Sequence, residues 1–336
     1  MRALVYTAPH AIEMRDVPDP SPEPGEVVLR VRACGICGSD LHGFRGKSRI
    51  RVPPAVLGHE CTGAIAAVGA GVDTLRAGDR AVIQPLIGCG LCRYCQTGRS
   101  NICPERRLIG AHLPGGFADY VRVPRAAVYA IPDTLPDADA TLVEPLGNAI
   151  HVLGLGGEAA GGIVVVIGAG TLGLLTVAVL GLRGARRVIS VDLDPHRLEV
   201  ARRLGADDVL DARDSDLARR MLELTGGGAD LVVEAVGVGA SRTTAIQAAG
   251  PGGTVVLLGN AESESTLPVN DAVNRELVLR GSYSCTDSEL REAIDVLARG
   301  GIDTSWVETA PLEHGPAMFG RLHRGHDAPI KAVLVP

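Results

Sequence analysis

Four of the eight cysteines stand as Cys89-x2-Cys92-x2-Cys95-x7-Cys103, four thiols within fifteen residues. Such tight spacing lets one loop fold round a single ion, and four sulfurs suit a closed tetrahedral zinc site. An iron–sulfur cluster uses similar spacings. Arg93 and Arg99 in the loop, and the lack of a second cluster motif, favour zinc. With no open position, this zinc holds a loop and does no chemistry. A second constellation joins Cys37-Gly38-Ser39-Asp40-Leu41-His42 to Gly58-His59-Glu60. Cys37 and His59 are candidate ligands of a second zinc. Glu60 or Glu144, the latter in Val143-Glu144-Pro145-Leu146, is the candidate third. Three protein ligands leave a fourth position for water or substrate, which is the catalytic arrangement. Singly, each residue has a plainer reading: His59 as a structural histidine, Cys37 as a core thiol, or Cys34 and Cys37 as a redox pair. No thioredoxin-like context surrounds that pair.

A third signal is Gly168-Ala169-Gly170-Thr171-Leu172-Gly173, a G-x-G-x-x-G run. It follows an apolar strand pattern and opens a helical one, and a second strand ends at Asp192, nineteen residues beyond Gly173. That is the context of a dinucleotide fingerprint. The glycines allow a tight turn, close approach of backbone to pyrophosphate, and helix–strand packing, while the helix N-terminus faces the anion. Asp192 would accept from the adenosine ribose hydroxyls and repel a 2′-phosphate, so NAD is expected over NADP. The plainer readings are a Gly-rich turn of another α/β domain and a solvated strand end.

These motifs need two kinds of scaffold. Up to about residue 150 the chain is rich in Gly, Pro and Val, with short strand patterns at Val27–Val31, Gly63–Val68 and Arg80–Ile83, and Met1 to Tyr6 also reads as a strand. From Ile163, apolar runs alternate with helical ones: Val164–Ile167, Val188–Asp192, Asp208–Leu210, Leu231–Ala235, Thr254–Leu258 and Leu277–Leu279, with helices over Pro195–Leu204 and Asp214–Leu224. Six fully apolar strands interleaved with helices imply a doubly wound parallel sheet in an α/β fold. The tail carries one clear helix, Ser288–Arg299, and a terminal strand, Ile330–Val335. The expected domains are 1–148, with the metal lobe at 89–103; 149–284 for NAD; and 285–336 returning to complete the first.

The 336 residues suffice for two cores, and 46% hydrophobic residues is ordinary for a globular protein. A formal charge of −6 disfavours nucleic acid and anionic membrane as partners. Ile163 to Leu182 is long enough to span a bilayer, but the glycines at 168 and 170 split it into strand, turn and helix. No cleavable leader is read at the start, and cysteines clustered without one suit a reducing cytoplasm.

The sequence resembles the zinc-dependent medium-chain dehydrogenase family along essentially its whole length. Cys37-Gly-Ser-Asp-Leu-His, Gly-His59-Glu60, the four-cysteine lobe, Glu144-Pro-Leu and Gly168-x-Gly-x-x-Gly carry the resemblance in order and spacing. It implies a GroES-like, mostly β catalytic domain and a Rossmann domain with the active site in the cleft between them. It further implies an alcohol held on zinc beside NAD. Cys37 and His59 would bind that zinc; Glu60 is an acid that binds or swings onto it. Glu144 sits where classical alcohol dehydrogenases place a cysteine, and polyol and threonine dehydrogenases have Glu there. Asp40 would orient His59. Ser39 would take the alcohol's proton and relay it through the ribose to His42. Thr171 and Leu172 lie in the fingerprint; Arg197 resembles a position near the adenine, and Leu258, Gly259 and Tyr283 match the nicotinamide end.

The Glu144 pattern points to a secondary alcohol of a polyol, cyclitol or sugar, with a threonine-type amino alcohol as the alternative. Phe44 to Arg51 carries Arg45, Lys47, Arg49 and Arg51, which either bind a phosphorylated substrate or form a solvated loop. A homodimer or homotetramer is expected by analogy. The rival classes are a zinc-free NADPH-dependent quinone reductase, whose family lacks both zinc motifs, and a non-enzymatic zinc-stabilised NAD-binding protein.

Overall fold

The computed structural model describes residues 1–325 and 327–336. It divides into two compact units. Unit 1 comprises Met1–Glu144, Thr286–Gly300 and Thr304–Pro336; unit 2 comprises Pro145–Cys285 and Gly301–Asp303.

Unit 2 is built on a six-stranded sheet. In chain order its strands are Ile163–Ile167, Arg187–Asp192, Asp208–Asp211, Ala229–Glu234, Ala249–Leu257 and Val278–Gly281. They lie side by side as 3-2-1-4-5-6, all parallel. This is the doubly wound topology, whose ligand crevice lies beyond the carboxyl ends of the strands. Val164, Val165 and Val166 are wholly buried, as strands covered on both faces must be. The apolar stretch from Ile163 resolves into this strand, a glycine turn and the helix Thr171–Leu182. No helix among the described residues is long and apolar enough to cross a membrane.

Unit 1 is mostly β. A seven-stranded sheet centres on the long strand Glu26–Gly35, which pairs with Glu60–Val68, Tyr120–Pro124 and the terminal strand Lys331–Val335. Its core gathers Leu29, Leu57, Ile83, Phe117, Phe319 and Leu334. The terminal strand therefore completes this sheet rather than the other one. Two elements of the tail differ from the sequence reading. Val307–Pro311 forms a strand parallel to Lys331–Val335, and Gly315–Arg324 forms a helix. Gly315 and Gly320 disguise that helix as a turn, yet Pro316 in its first turn is a helix-start signal.

Candidate active site

Cys37 caps the helix Gly38–Phe44 in an extended conformation. Its main-chain N–H donates to the Asp40 carboxylate at 3.1 Å, which fixes the start of the helix. His59 and Glu60 open the strand Glu60–Val68 after Gly58, whose φ of +93° only glycine adopts cheaply. A Cβ on Gly58 would also sit 2.8 Å from the Cys34 sulfur and the Phe117 ring. The turn thus presses His59 and Glu60 back toward Cys37. One ligand atom from each of Cys37, His59 and Glu60 lies within 4.8 Å of the others. Glu144, buried at the second position of the helix Val143–Gly156, is outside that group.

Asp40 is wholly buried and faces His59 Nδ1 at 3.4 Å. Burial alone raises its pKa, but His59, Arg51 and the Cys37 N–H pull it down to about 2. Burial lowers the pKa of His59, yet Asp40 and Cys37 outweigh this and hold it well above the ordinary imidazole value. The negative groups that draw a proton onto His59 would equally attract a metal cation. With Nδ1 turned to Asp40, Nε2 is left for a metal. A thiolate, an imidazole and a carboxylate are a donor set that suits zinc.

Two buried cations lie near this group: Lys331, which the residues alone do not point to, and Arg51, which they place in an exposed basic run. Lys331 pairs with the Glu60 carboxylate and donates to the Ile36 carbonyl at 3.2 Å. Burial lowers its pKa, but Glu60, Cys37 and Glu144 raise it further, so the ammonium stays charged. Gly35 makes room for this pair: a Cβ there would strike the Glu60 carboxylate and lie 2.8 Å from the lysine stem. The other cation is Arg51, 6% exposed, which removes it from the solvated basic loop. Arg45, Lys47 and Arg49 are exposed, and Arg45 donates to His323. Ser39 and His42 lie one turn apart on the helix Gly38–Phe44.

The four lobe cysteines converge separately, also within 4.8 Å. Main-chain N–H groups of Leu91 and Cys92 hold the Cys89 thiol down to about 6. Cys95, desolvated and facing the other sulfurs, is pushed up to about 12. Four thiols cannot all ionise at such distances unless a cation neutralises them, and Cys89, Cys92, Cys95 and Cys103 would hold a zinc that does so.

In unit 2 the three fingerprint glycines have distinct reasons. Gly168 has φ +98°, and a Cβ on Gly173 would run into the Gly168 carbonyl. A Cβ on Gly170 would meet only the Arg197 guanidinium, at 3.8 Å, so that face is open to a phosphate. Gly170 caps the helix beginning at Thr171 and Leu172. Asp192 accepts from the Ala169 N–H at 2.6 Å and the Asp194 N–H at 2.9 Å, tying the fingerprint to the next turn. Beyond the strand ends, the Leu258 and Gly259 N–H groups both donate to the Glu234 carbonyl, at 2.8 and 2.9 Å. Tyr283 is exposed just after the last strand.

Residues 23–133 match the family model for the alcohol dehydrogenase GroES-like domain, and residues 171–299 that for zinc-binding dehydrogenases. Sorbitol dehydrogenase of Bacillus subtilis is 33% identical over 315 residues, 92% of this chain and 89% of the relative. The chain belongs to the zinc-dependent medium-chain alcohol dehydrogenase family. L-threonine 3-dehydrogenase of Pyrococcus horikoshii is 36% identical over 279 residues, 81% of this dehydrogenase and 80% of the relative. These similarities put the dehydrogenase on the polyol and threonine branch. Among solved structures, a zinc-binding dehydrogenase of Sinorhizobium meliloti bound to NADP superposes with a TM-score of 0.92. It is 33% identical, with 100% of this chain and 99% of that one covered.

Proposed function

We propose that this dehydrogenase interconverts a secondary alcohol of a polyol, cyclitol or sugar and its ketone, with NAD as the hydride carrier. The convergence of Cys37, His59 and Glu60, a group of three ligand atoms among the described residues, carries this reading. When bound, zinc supplies Lewis acidity toward the substrate oxygen, and NAD supplies the hydride acceptor.

The chain's own residues do the rest. Cys37 and His59 hold the catalytic metal, with Glu60 as the third ligand in this arrangement and Glu144 as the other carboxylate for that position. Asp40 positions His59. Ser39 takes the proton of the substrate hydroxyl, and His42 is the group through which that proton leaves. Gly168, Gly170, Thr171, Leu172 and Gly173 cradle the pyrophosphate, while Arg197, across Gly170, lies at the adenosine side. Asp192 takes the ribose hydroxyls, and Leu258, Gly259 and Tyr283 border the nicotinamide. Cys89, Cys92, Cys95 and Cys103 hold the structural zinc. The edge strand Val278–Gly281 leaves Val278 and Leu279 exposed, which supports a homodimer or homotetramer joined through this unit. Cysteines grouped as metal ligands rather than paired in disulfides fit a cytoplasmic enzyme.

The test is NADH formation across polyols, cyclitols, sugars, their phosphates and L-threonine. Turnover of a polyol, cyclitol or sugar supports the reading; turnover confined to L-threonine or to primary alcohols overturns the substrate class. Selectivity for phosphorylated substrates would fall to Arg45, Lys47 and Arg49, because Arg51 is spent internally.

Cofactor choice has its own test. Asp192→Ala should relax the preference for NAD over NADP about tenfold or more, since a like charge facing the 2′-phosphate is removed. It should also raise KM for NAD about tenfold, because the tie to the Ala169 N–H is lost. Steady-state kinetics with both cofactors reads both effects, and unchanged discrimination would sink the ribose role of Asp192.

A further inference from the structure

Arg51 is the only buried arginine among the described residues. Its main-chain N–H is pinned by the Ser48 hydroxyl at 3.1 Å. Its stem crosses the helix Gly38–Phe44 at Gly43, where a Cβ would come within 2.8 Å of Arg51 Cδ. The guanidinium then reaches two groups of the same helix. Nε lies 3.4 Å from Asp40 Oδ1, and Nη2 donates to Ser39 Oγ at 2.9 Å.

A guanidinium has donors only and stays charged at all accessible pH values. Ser39 Oγ must therefore accept from Arg51, which consumes one of its two lone pairs. One lone pair and its own hydrogen remain. That is the minimum a relay needs: the free lone pair receives the substrate proton while the hydroxyl hydrogen departs on the other side. Without Arg51 nothing fixes the hydroxyl's orientation, and it can rotate its hydrogen away from the relay direction. We propose that Arg51 is a positioning residue for proton transfer, holding the Ser39 hydroxyl as simultaneous acceptor and donor. This rests on the alcohol dehydrogenase reading and adds a residue to it. The competing role is mere neutralisation of the buried Asp40 charge.

The two roles separate in a double-mutant cycle on the zinc-loaded enzyme with its best alcohol and NAD. Arg51→Met should lower kcat about tenfold, the effect of one charge-assisted hydrogen bond, with the KM values little changed and zinc content intact. Arg51→Lys, which keeps the charge and a donor, should recover part of the loss. In a Ser39→Ala background, Arg51→Met should cost nothing further. A readout independent of turnover is the Arg51 Nη resonance in ¹⁵N NMR, expected to be resolved in the native enzyme and to broaden in Ser39→Ala. An equal loss in both backgrounds, loss of zinc in Arg51→Met, or an Nη signal indifferent to Ser39→Ala would each overturn the proposal. If the native enzyme oxidises no alcohol at all, the functional reading falls and this inference with it, even with the Arg51–Ser39 contact seen by NMR.

Discussion

Cys37→Ser is expected to lower kcat/KM for the alcohol about a thousandfold, the equivalent of several kcal/mol of lost charge stabilisation at the substrate oxygen. A serine hydroxyl is a far weaker zinc ligand than a thiolate, so bound zinc should fall from about two ions to about one per chain. Folding should be nearly untouched. Cys37 is half-buried at a helix start, and the contact that fixes this start runs from its main-chain N–H to Asp40. The measurement pairs metal analysis with steady-state kinetics and a thermal scan. Full turnover in the variant would remove Cys37 from the catalytic metal.

Cys92→Ser is expected to show the reverse pattern. The lobe has little apolar packing of its own: in the helical turn Arg93–Gln96 no residue is buried, and Leu91 is 82% exposed. Four sulfurs round one ion supply what a core otherwise would. Losing one ligand should cost several kcal/mol and lower Tm by roughly 10 °C. One zinc should leave the chain, while turnover of the enzyme still folded at low temperature persists. Differential scanning calorimetry and metal analysis check this. An unchanged Tm with full zinc content would mean that the lobe is held by something else.

Much of this architecture is legible in the residues because its signals are local. The cysteine spacings close within one loop, and the G-x-G-x-x-G run carries its strand before it and its helix after it. The central parallel strands are read from apolar runs that burial on both faces requires, whereas the edge strand Val278–Gly281 is exposed and betrays itself only by its short apolar run. Arg51 and Lys331 are hidden for the opposite reason. Arg51 ends a run of basic residues that looks solvated from Arg45 onward, and only the fold turns it under the helix Gly38–Phe44. Lys331 lies 271 residues from Glu60 in sequence, and only pairing of the terminal strand with Cys34 and Gly35 brings the two together. A weak signal is present, since Lys47 and Lys331 are the chain's only lysines and one of them opens an apolar strand. Glu60 and Glu144 show the same limit. Residue types alone allow either carboxylate as third ligand, and three-dimensional placement groups Glu60 with Cys37 and His59.

On the proposed function, this dehydrogenase works with NAD through an open three-ligand metal site and is stabilised by a closed four-sulfur one. Metal analysis of the purified chain, combined with NADH absorbance in the presence of a polyol, tests this most directly. About two zinc ions per chain are expected, with NADH formation that disappears when the weaker-bound ion is chelated and returns when zinc is restored. About one zinc per chain, held by the lobe cysteines, with no NADH from any alcohol, would contradict the account and leave a zinc-stabilised nucleotide-binding protein in its place.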